Sequence, residues 1–244
     1  MPLLSVSHLS LTLNAQHILK GVTFSVDQGE VVGLIGPNGS GKTTLFNVLS
    51  GFLKPTSGTI HFRDADITSV SPAQRARLGI GRVFQNFGIF REMTLEENVL
   101  VAMEALPKEQ RMLLGNLKDV VRGTLDMVGL LQHAKKKAGS LSGGQMRLLE
   151  IARTLKSGKE LFLLDEPTAG VSPKMTKQVA DLIAELKKEG KTVLIIEHDL
   201  PFISRICDRV LVLDVGEIVL NGKPNEIKHD RKLQEIYFGV EVPS

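Results

Sequence analysis

The chain has 244 residues, of which 42% are hydrophobic and 23% are charged, and its formal net charge is +3. This length and balance indicate a folded globular protein and exclude disordered, fibrous and small disulfide-stapled classes. The charge is too small to require nucleic acid as a partner, and the basic run Lys135–Lys137 is expected on a solvated turn. The single cysteine, Cys207, excludes an internal disulfide. With neither a signal peptide nor an apolar run of about 18 residues, we expect a cytoplasmic chain that reaches a membrane only through a partner.

The first third of the chain predicts a β layer and a strand–loop–helix unit. Three apolar segments separated by turn residues, Leu9–Leu13, Val22–Val26 and Thr59–Phe62, indicate antiparallel strands. Between them, the apolar run Glu30–Gly36 predicts a strand that enters a glycine-rich loop. The pattern over Lys42–Leu49 then predicts a helix.

The middle of the chain predicts helices, and no convincing strand appears between Thr94 and about Ala134. Ser71–Gln74 and Thr94–Glu97 both show a helix-capping pattern, a hydroxyl followed three residues later by Gln or Glu. Helical periodicity follows over Asn98–Ala105 and Val120–Leu131. We therefore expect a helical subdomain over residues 85–156.

The second half alternates between helices and strands, which indicates a mostly parallel sheet covered by helices. Its clearest helix start is Ser172, a capping residue before a proline, and Gly190 ends that helix. The predicted elements are a helix over about Gly143–Lys156, a strand over Leu161–Asp165, a helix over Pro173–Glu189, strands over Thr192–Glu197, Arg209–Asp214 and Glu217–Leu220, and a closing helix over Asn225–Phe238.

The glycine-rich loop has the spacing of a phosphate-binding loop, since two glycines enclose four residues and are followed by lysine and a hydroxyl. Its residues are Gly36, Pro37, Asn38, Gly39, Ser40, Gly41, Lys42 and Thr43. Such a loop aims its amides at phosphate oxygens, and the following helix adds its positive dipole end. We expect it to bind ATP, with Lys42 at the β and γ phosphates, Thr43 on Mg²⁺ and Thr44 at a further phosphate oxygen.

Two carboxylates follow the predicted strand Leu161–Asp165, at the sheet edge where ligands bind in such folds. We expect Asp165 to support Mg²⁺ and Glu166 to act as the general base that polarises the attacking water. The prediction is thus an α/β fold with a P-loop NTPase core, an antiparallel β subdomain and a helical subdomain. It is a single domain over residues 1–244, whose RecA-like core covers 1–84 and 157–244.

A five-residue segment resembles the signature motif of the ABC transporter ATPases. It consists of Leu141, Ser142, Gly143, Gly144 and Gln145. The resemblance covers the whole chain and implies pairing with a second ABC ATPase subunit, identical or different, whose signature motif closes over the γ-phosphate. It also implies that Gln85 approaches the metal and water, and that His198 contacts the γ-phosphate and positions water with Glu166.

Two positions depart from the family pattern. Leu13 stands where an aromatic ring usually stacks on adenine, so the base has an apolar contact without a π face. Ser172 stands in the loop that usually carries an aspartate reaching across the dimer, so communication between the two sites is expected to differ.

Finer features look like the ATPases of branched-chain amino acid importers, and lipopolysaccharide-export ATPases share several of them. The segments are Gly81–Asn86, Glu92–Leu100, Leu148–Arg153 and Ile196–Leu200. The resemblance implies two membrane permease subunits and leaves open a periplasmic substrate-binding protein, with this chain on the inner face of the membrane. The residues that could form the groove for the permeases, or simply pack the subdomain, are Phe87, Gly88, Ile89, Phe90 and Met93. From another class, a soluble ABC scaffold of iron–sulfur cluster assembly remains an alternative.

Overall fold

The computed structural model describes residues 2–83 and 88–238, so the predicted site residue Gln85 and the predicted groove residue Phe87 lie outside the described residues. The strands are β1 (Pro2–Leu13), β2 (Gln16–Asp27), β3 (Val31–Ile35), β4 (Ser57–Phe62), β5 (Ala65–Asp66), β6 (Ile80–Val83), β7 (Leu161–Asp165), β8 (Thr192–Ile196), β9 (Arg209–Asp214) and β10 (Glu217–Gly222). The α-helices are α1 (Lys42–Leu49), α2 (Pro72–Leu78), α3 (Leu95–Glu104), α4 (Lys108–Leu113), α5 (Leu117–Met127), α6 (Gly143–Leu155), α7 (Pro173–Lys188), α8 (Leu200–Ile206), α9 (Pro224–Lys228) and α10 (Arg231–Phe238).

The described strands form two sheets, which confirms the predicted α/β fold. One sheet is antiparallel in the order β2-β1-β4-β5, and the other is six-stranded in the order β10-β9-β3-β8-β7-β6. In the second sheet all neighbouring strands are parallel except the β9–β10 hairpin. The carboxyl ends of β3, β8, β7 and β6 therefore meet at one edge, where the loops that follow them converge.

Alternate residues of the parallel strands enter two different cores. Because successive side chains of a strand point to opposite faces, a sheet covered on both sides needs apolar residues at nearly every position. Val32 and Leu34 of β3 pack with α1 and the antiparallel sheet, whereas Val31 and Ile35 pack with α6 and α7. This explains why β3, β7 and β8 are continuous apolar runs in the sequence, and all three are buried throughout.

Helices α3 to α6 lie between β6 and β7 in the chain, as the periodicity predicts. On α3 the apolar positions Leu95, Val99 and Met103 recur every four residues and are buried. Thr94 caps this helix, since its side chain accepts a hydrogen bond from the Glu97 amide and the Glu97 carboxylate accepts one from the Thr94 amide. The run Lys135–Lys137 is exposed, as expected.

Two predicted helices have different limits in the structure. The helix predicted over Val120–Leu131 ends at Met127, because Gly129 adopts a positive φ of 67° that breaks the helical path. The closing helix predicted over Asn225–Phe238 is wrong as a single element, since it divides into α9 and α10. Asp230 precedes the second helix, and its side chain accepts a hydrogen bond from the Lys232 amide, an alternative to continued helix.

Arg75 of α2 fixes the far end of the helix that follows the phosphate loop. It is 1% exposed, and its guanidinium donates five hydrogen bonds to main-chain carbonyls. The acceptors are Val48, Leu49, Ile67, Thr68 and Val70. Two of these carbonyls end α1, where a cation complements the helix dipole. Burial lowers the pKa of Arg75 to about 10, so it remains charged at neutral pH.

Gly123 lies inside α5, has no positive φ, and would present an added Cβ to open space. We expect Gly123→Ala to raise the free energy of unfolding by about 0.5–1 kcal/mol, because alanine loses less backbone entropy in a helix. Urea unfolding of the purified chain measures the change. Gly58→Ala provides the contrast, since its Cβ would lie 2.5 Å from the His8 carbonyl oxygen. An unchanged or lowered stability of Gly123→Ala would contradict the helix assignment.

Among the described residues, no helix combines the length and apolar character needed to cross a bilayer.

Candidate nucleotide site

The loop between β3 and α1 has the backbone shape of a phosphate cradle. Gly36, Gly39 and Gly41 have φ angles of 151°, 82° and 108°, a region that favours glycine. A Cβ added to Gly36 would lie 2.0 Å from the Leu213 carbonyl oxygen of β9, so no side chain fits there. Gly41 precedes α1 directly, which places the loop at the amino end of that helix.

Lys42 folds back over its own loop. Its ammonium donates hydrogen bonds to the carbonyl oxygens of Gly36 at 2.7 Å and Pro37 at 2.8 Å. Burial lowers the pKa of this ammonium from its ordinary value, and the nearby carboxylates of Glu166 and Asp165 partly oppose that shift. The positive charge therefore lies beside the two predicted acidic residues, as expected from the shared sheet edge.

The loop has exposed main chain and one buried hydroxyl that is available to a ligand. Asn38 and Gly39 are exposed, while Ser40 is 3% exposed and its hydroxyl has no hydrogen-bond partner among the described residues. A buried hydroxyl without a partner is rare in a folded protein and suits a position that takes a ligand. Thr43 is exposed and Thr44 is half-buried at the start of α1, so both hydroxyls lie on the first turn beside the cradle.

Asp165 ends β7 and is 2% exposed. Arg82 of β6 donates a hydrogen bond to its carboxylate at 3.2 Å, and also bonds the Asn47 side chain of α1 at 2.7 Å. Burial raises the pKa of the Asp165 carboxyl, while the Arg82 guanidinium acts in the opposite direction. The sequence patterns did not identify Arg82, because its link to Asp165 depends on the pairing of β6 with β7.

Glu166 and His198 meet at the edge of the sheet. His198 Nε2 lies 2.7 Å from Glu166 Oε1, although the residues are 32 positions apart in the chain. Glu166 has a φ of 47°, which is unusual for a residue with a long side chain, and its amide donates to the Ile196 carbonyl. Strain of this kind is held by surrounding structure and is common where a side chain must be aimed.

Glu197 is a polar residue of this edge that the sequence patterns did not single out. It is 4% exposed, and its carboxylate accepts hydrogen bonds from the Thr168 amide and hydroxyl and from the His198 amide. Burial raises the pKa of Glu197, whereas the hydrogen bonds from Thr168 lower it. The carboxylate thus ties the loop after Glu166 to the segment that carries His198. An acidic residue directly after a buried apolar strand was the available signal.

The five residues of the signature-like segment form the start of α6. Ser142 caps the helix, accepting from the Gln145 amide at 3.3 Å, and the Gln145 side chain accepts from the Ser142 amide at 3.0 Å. Ser142 and Gly143 are exposed, whereas Leu141 is buried. Gly144 is buried, and a Cβ there would lie 2.5 Å from the Met175 sulfur. The helix start therefore presents main-chain amides and a hydroxyl toward solvent.

The two departures from the family pattern occupy distinct places. Leu13 is 39% exposed at the end of β1. The next strand of this hairpin, β2, lies against the phosphate loop, because a Cβ added to Gly41 would be 3.1 Å from the Ile18 carbonyl oxygen. Ser172 is exposed and caps α7 by accepting from the Met175 amide. Its side chain is therefore engaged within its own chain.

The sequence is similar to those of ABC transporter proteins. The family described as ABC transporter matches residues 19–169. The high-affinity branched-chain amino acid transport ATP-binding protein LivG of Escherichia coli strain K12 is 41% identical over 251 residues, with 98% of each chain covered. The lipopolysaccharide export system ATP-binding protein LptB of Acidithiobacillus ferridurans is 36% identical over 239 residues, with 97% of each covered.

Among solved structures, the fold resembles the ADP conformation of MJ1267, an ATP-binding cassette of an ABC transporter. The two are 35% identical, the TM-score is 0.84, and the match covers 98% of this chain and 100% of that one. Cassettes of this family dimerise and act with membrane permease subunits. The sequence matches and the similar fold both point to an ATP-binding cassette, and the phosphate-cradle shape of the loop agrees with this. This chain belongs to the ABC transporter family, as an ATP-binding subunit that hydrolyses ATP.

Proposed function

We propose that this chain powers an importer of branched-chain amino acids or of related amino acids or amides. The observation that carries the catalytic part is the 2.7 Å contact of His198 with Glu166 at the sheet edge that also bears the phosphate loop. The substrate class rests on the 41% identity to LivG over nearly the whole chain. The geometry of the ATP site does not identify the substrate, because the same fold and the same kind of ATP site occur in proteins with many different functions.

Each residue of the proposed site has a role in ATP binding or hydrolysis that follows from its position. The amides of the loop Gly36–Thr43 and the Lys42 ammonium bind the phosphates, and Leu13 packs on the base. Glu166 accepts the proton of the attacking water, and His198 holds Glu166 and the water in line with the γ-phosphate. Their common edge and their mutual contact support these roles.

Mg²⁺ fits this donor set. The metal usually takes one or two protein oxygens together with substrate phosphates, so a dedicated cluster of carboxylates is not required. We propose that Thr43, Asp165 and Gln85 support it, with Gln85 assigned from sequence alone. Mg²⁺ would neutralise charge on the β and γ phosphates. Arg82 would hold the Asp165 carboxylate in place for this role, through the hydrogen bond between them.

The exposed start of α6 leads us to propose that each loop is half of a site. A second cassette, the same chain or a different one, would place its signature motif against the γ-phosphate, in a twofold arrangement that makes two sites. In a second copy of this chain, that motif would be presented by Ser142 and Gly143. ATPase activity per chain should then fall as the protein is diluted below the concentration at which it pairs. Activity that stays proportional to chain concentration down to monomeric dilution would contradict the shared site.

A surface cavity of about 390 Å³ supports docking of a permease. Its lining includes Phe52 and Arg82 from the predicted core and Phe90 and Arg153 from the predicted helical subdomain. Phe90 is 46% exposed, and the Arg153 guanidinium lies 5.2 Å from its ring centroid. Of the other predicted groove residues, Ile89 packs in the core, while Met93 is exposed outside the cavity lining.

We therefore propose a division into a core, residues 1–84 and 157–244, and a helical lobe, residues 85–156, with the permease between them. Arg82 lines the cavity and also donates a hydrogen bond to the Asp165 carboxylate. Movement of a permease in the cavity would therefore reach the carboxylate that supports Mg²⁺ through this one side chain. The chain would then lie in the cytoplasm, held at the inner face of the membrane by its permeases. ATP-driven closure of two lobes and opening after hydrolysis would bias the permeases between states.

Lipopolysaccharide export is the second candidate function, and the 36% identity to LptB favours it. The comparisons with transporter subunits count against the soluble scaffold named from the sequence. A tagged chain purified from detergent-solubilised membranes should recover permease subunits, and its ATPase activity in vesicles should rise with a branched-chain amino acid and its binding protein. Recovery of soluble partners alone would reject the transporter motor, and stimulation by lipopolysaccharide instead would favour the exporter.

A further inference from the structure

The C-terminal helix α10 reaches the phosphate loop through one side chain. The Gly36 amide donates a hydrogen bond to the hydroxyl of Tyr237 at 2.9 Å, across 201 positions of the chain. The carbonyl of the same glycine accepts the hydrogen bond from Lys42. The first residue of the loop is therefore held on both sides, by a residue of α10 and by the lysine of the loop itself.

These two contacts differ in what happens when a nucleotide arrives. Lys42 must give up the carbonyls of Gly36 and Pro37 to reach phosphate oxygens, so its contact to the loop is temporary. Tyr237 bonds the amide of Gly36, which takes no part in that exchange. Gly36 is buried against Leu213, and a buried amide without a partner is costly. The tyrosine hydroxyl thus keeps the start of the loop fixed while the lysine moves.

The helix that carries Tyr237 is docked on the core. Leu233 is 3% exposed, and Ile236 and Tyr237 pack against the same core cluster as β3. Burial raises the pKa of the Tyr237 hydroxyl above its ordinary value, so the group is neutral at physiological pH and can accept the amide hydrogen. Packing therefore places the ring and the hydroxyl before any nucleotide binds.

We propose that Tyr237 is a positioning residue for the phosphate loop, so that nucleotide binding at the loop and docking of α10 stabilise each other. The inference rests on the proposed nucleotide site and goes beyond it, since it adds a residue outside the sequence motifs. Thermodynamic linkage makes the effect reciprocal. A change that loosens the docking of α10 lowers the affinity for nucleotide, and bound nucleotide stabilises the docked position of α10.

Tyr237→Phe removes the hydroxyl and keeps the ring. Calorimetric titration of the full chain with ATP and Mg²⁺ should show an affinity about tenfold weaker than wild type, because the Gly36 amide loses its partner. In the dimer of two cassettes, the KM of Tyr237→Phe for ATP should be higher than that of wild type, while its kcat at saturating ATP stays close to the wild-type value. Gln234→Ala, an exposed change on the same helix, is the matched control and should leave both unchanged.

The chain carries its own reporter for this contact. It has one tyrosine and no tryptophan, so ultraviolet emission comes from Tyr237. Because ATP is expected to tighten the docking of α10 around this side chain, titration of the wild type with ATP should change that emission with the same dissociation constant that calorimetry gives. This second measurement needs no substitution.

The outcomes separate the two proposals. If the wild type binds ATP but Tyr237→Phe binds it equally well, the positioning role is overturned and the nucleotide site stands. An emission that stays constant through saturation would also overturn the coupling. If the wild type binds no nucleotide, the site itself is wrong, and this inference fails with it.

Discussion

Replacement of Glu166 by glutamine should leave ATP bound and lower the turnover by about 10²–10⁴-fold, the range that general base catalysis contributes. Glutamine has the same shape, so the contact with His198 and the backbone at φ 47° can persist. What it lacks is a basic oxygen to take the proton from water. The measurement is phosphate release at saturating ATP, with binding checked by calorimetry.

Glu160→Gln is the matched control for this change. Glu160 lies just before β7, at the opposite end of the strand that Glu166 follows, and its carboxylate contacts Arg63 on the surface. Its turnover should equal that of wild type. If ATP is trapped in a closed pair, Glu166→Gln should also elute as a dimer when ATP is present. Turnover near the wild-type value in Glu166→Gln would remove Glu166 from the role of base.

Lys42→Ala should weaken ATP binding by roughly one to two orders of magnitude and leave little turnover. A hydrogen bond to a charged group contributes about 1.5–3 kcal/mol, and this ammonium has phosphate oxygens as its natural partners. Fluorescent-nucleotide titration of the isolated chain measures the loss. The fold should persist, because water can replace the ammonium at the carbonyls of Gly36 and Pro37.

Lys159→Ala controls for the loss of a half-buried lysine. Its ammonium also donates to a main-chain carbonyl, that of Ala76, and burial lowers its pKa as it does for Lys42. It lies at the cavity between the two regions, away from the phosphate loop. Nucleotide affinity should be unchanged in this variant. Equal losses in both variants would mean that Lys42 acts through general stability.

Local patterns were enough to predict most of the elements that bear the site. The strand–loop–helix unit at β3 and α1, the strand before Glu166 and the helix that Ser142 caps all lie where the sequence indicates. Each of these depends on residues within a few positions of one another, through periodicity, turn chemistry or capping. The resemblance to the ABC transporter ATPases implied that His198 acts with Glu166, and in the structure these two side chains are in contact.

Contacts between distant segments could not be predicted in this way. Nothing near Arg82 shows that β6 will lie beside β7 and bring the guanidinium to Asp165. The break between α9 and α10 depends on Asp230 bonding forward, which competes closely with continued helix. The bond from Gly36 to Tyr237 requires the whole fold to be in place.

The order of strands in the parallel sheet has a consequence for synthesis on the ribosome. β3 pairs with β8 and β9, both made long after it, and the Leu213 carbonyl that abuts Gly36 belongs to β9. At translation rates of about 5–20 residues per second, the loop waits roughly 10–35 s for its neighbours. Nascent chains that stop before β9 should therefore be unable to retain nucleotide, and the ATP site is completed only after β9 has been made.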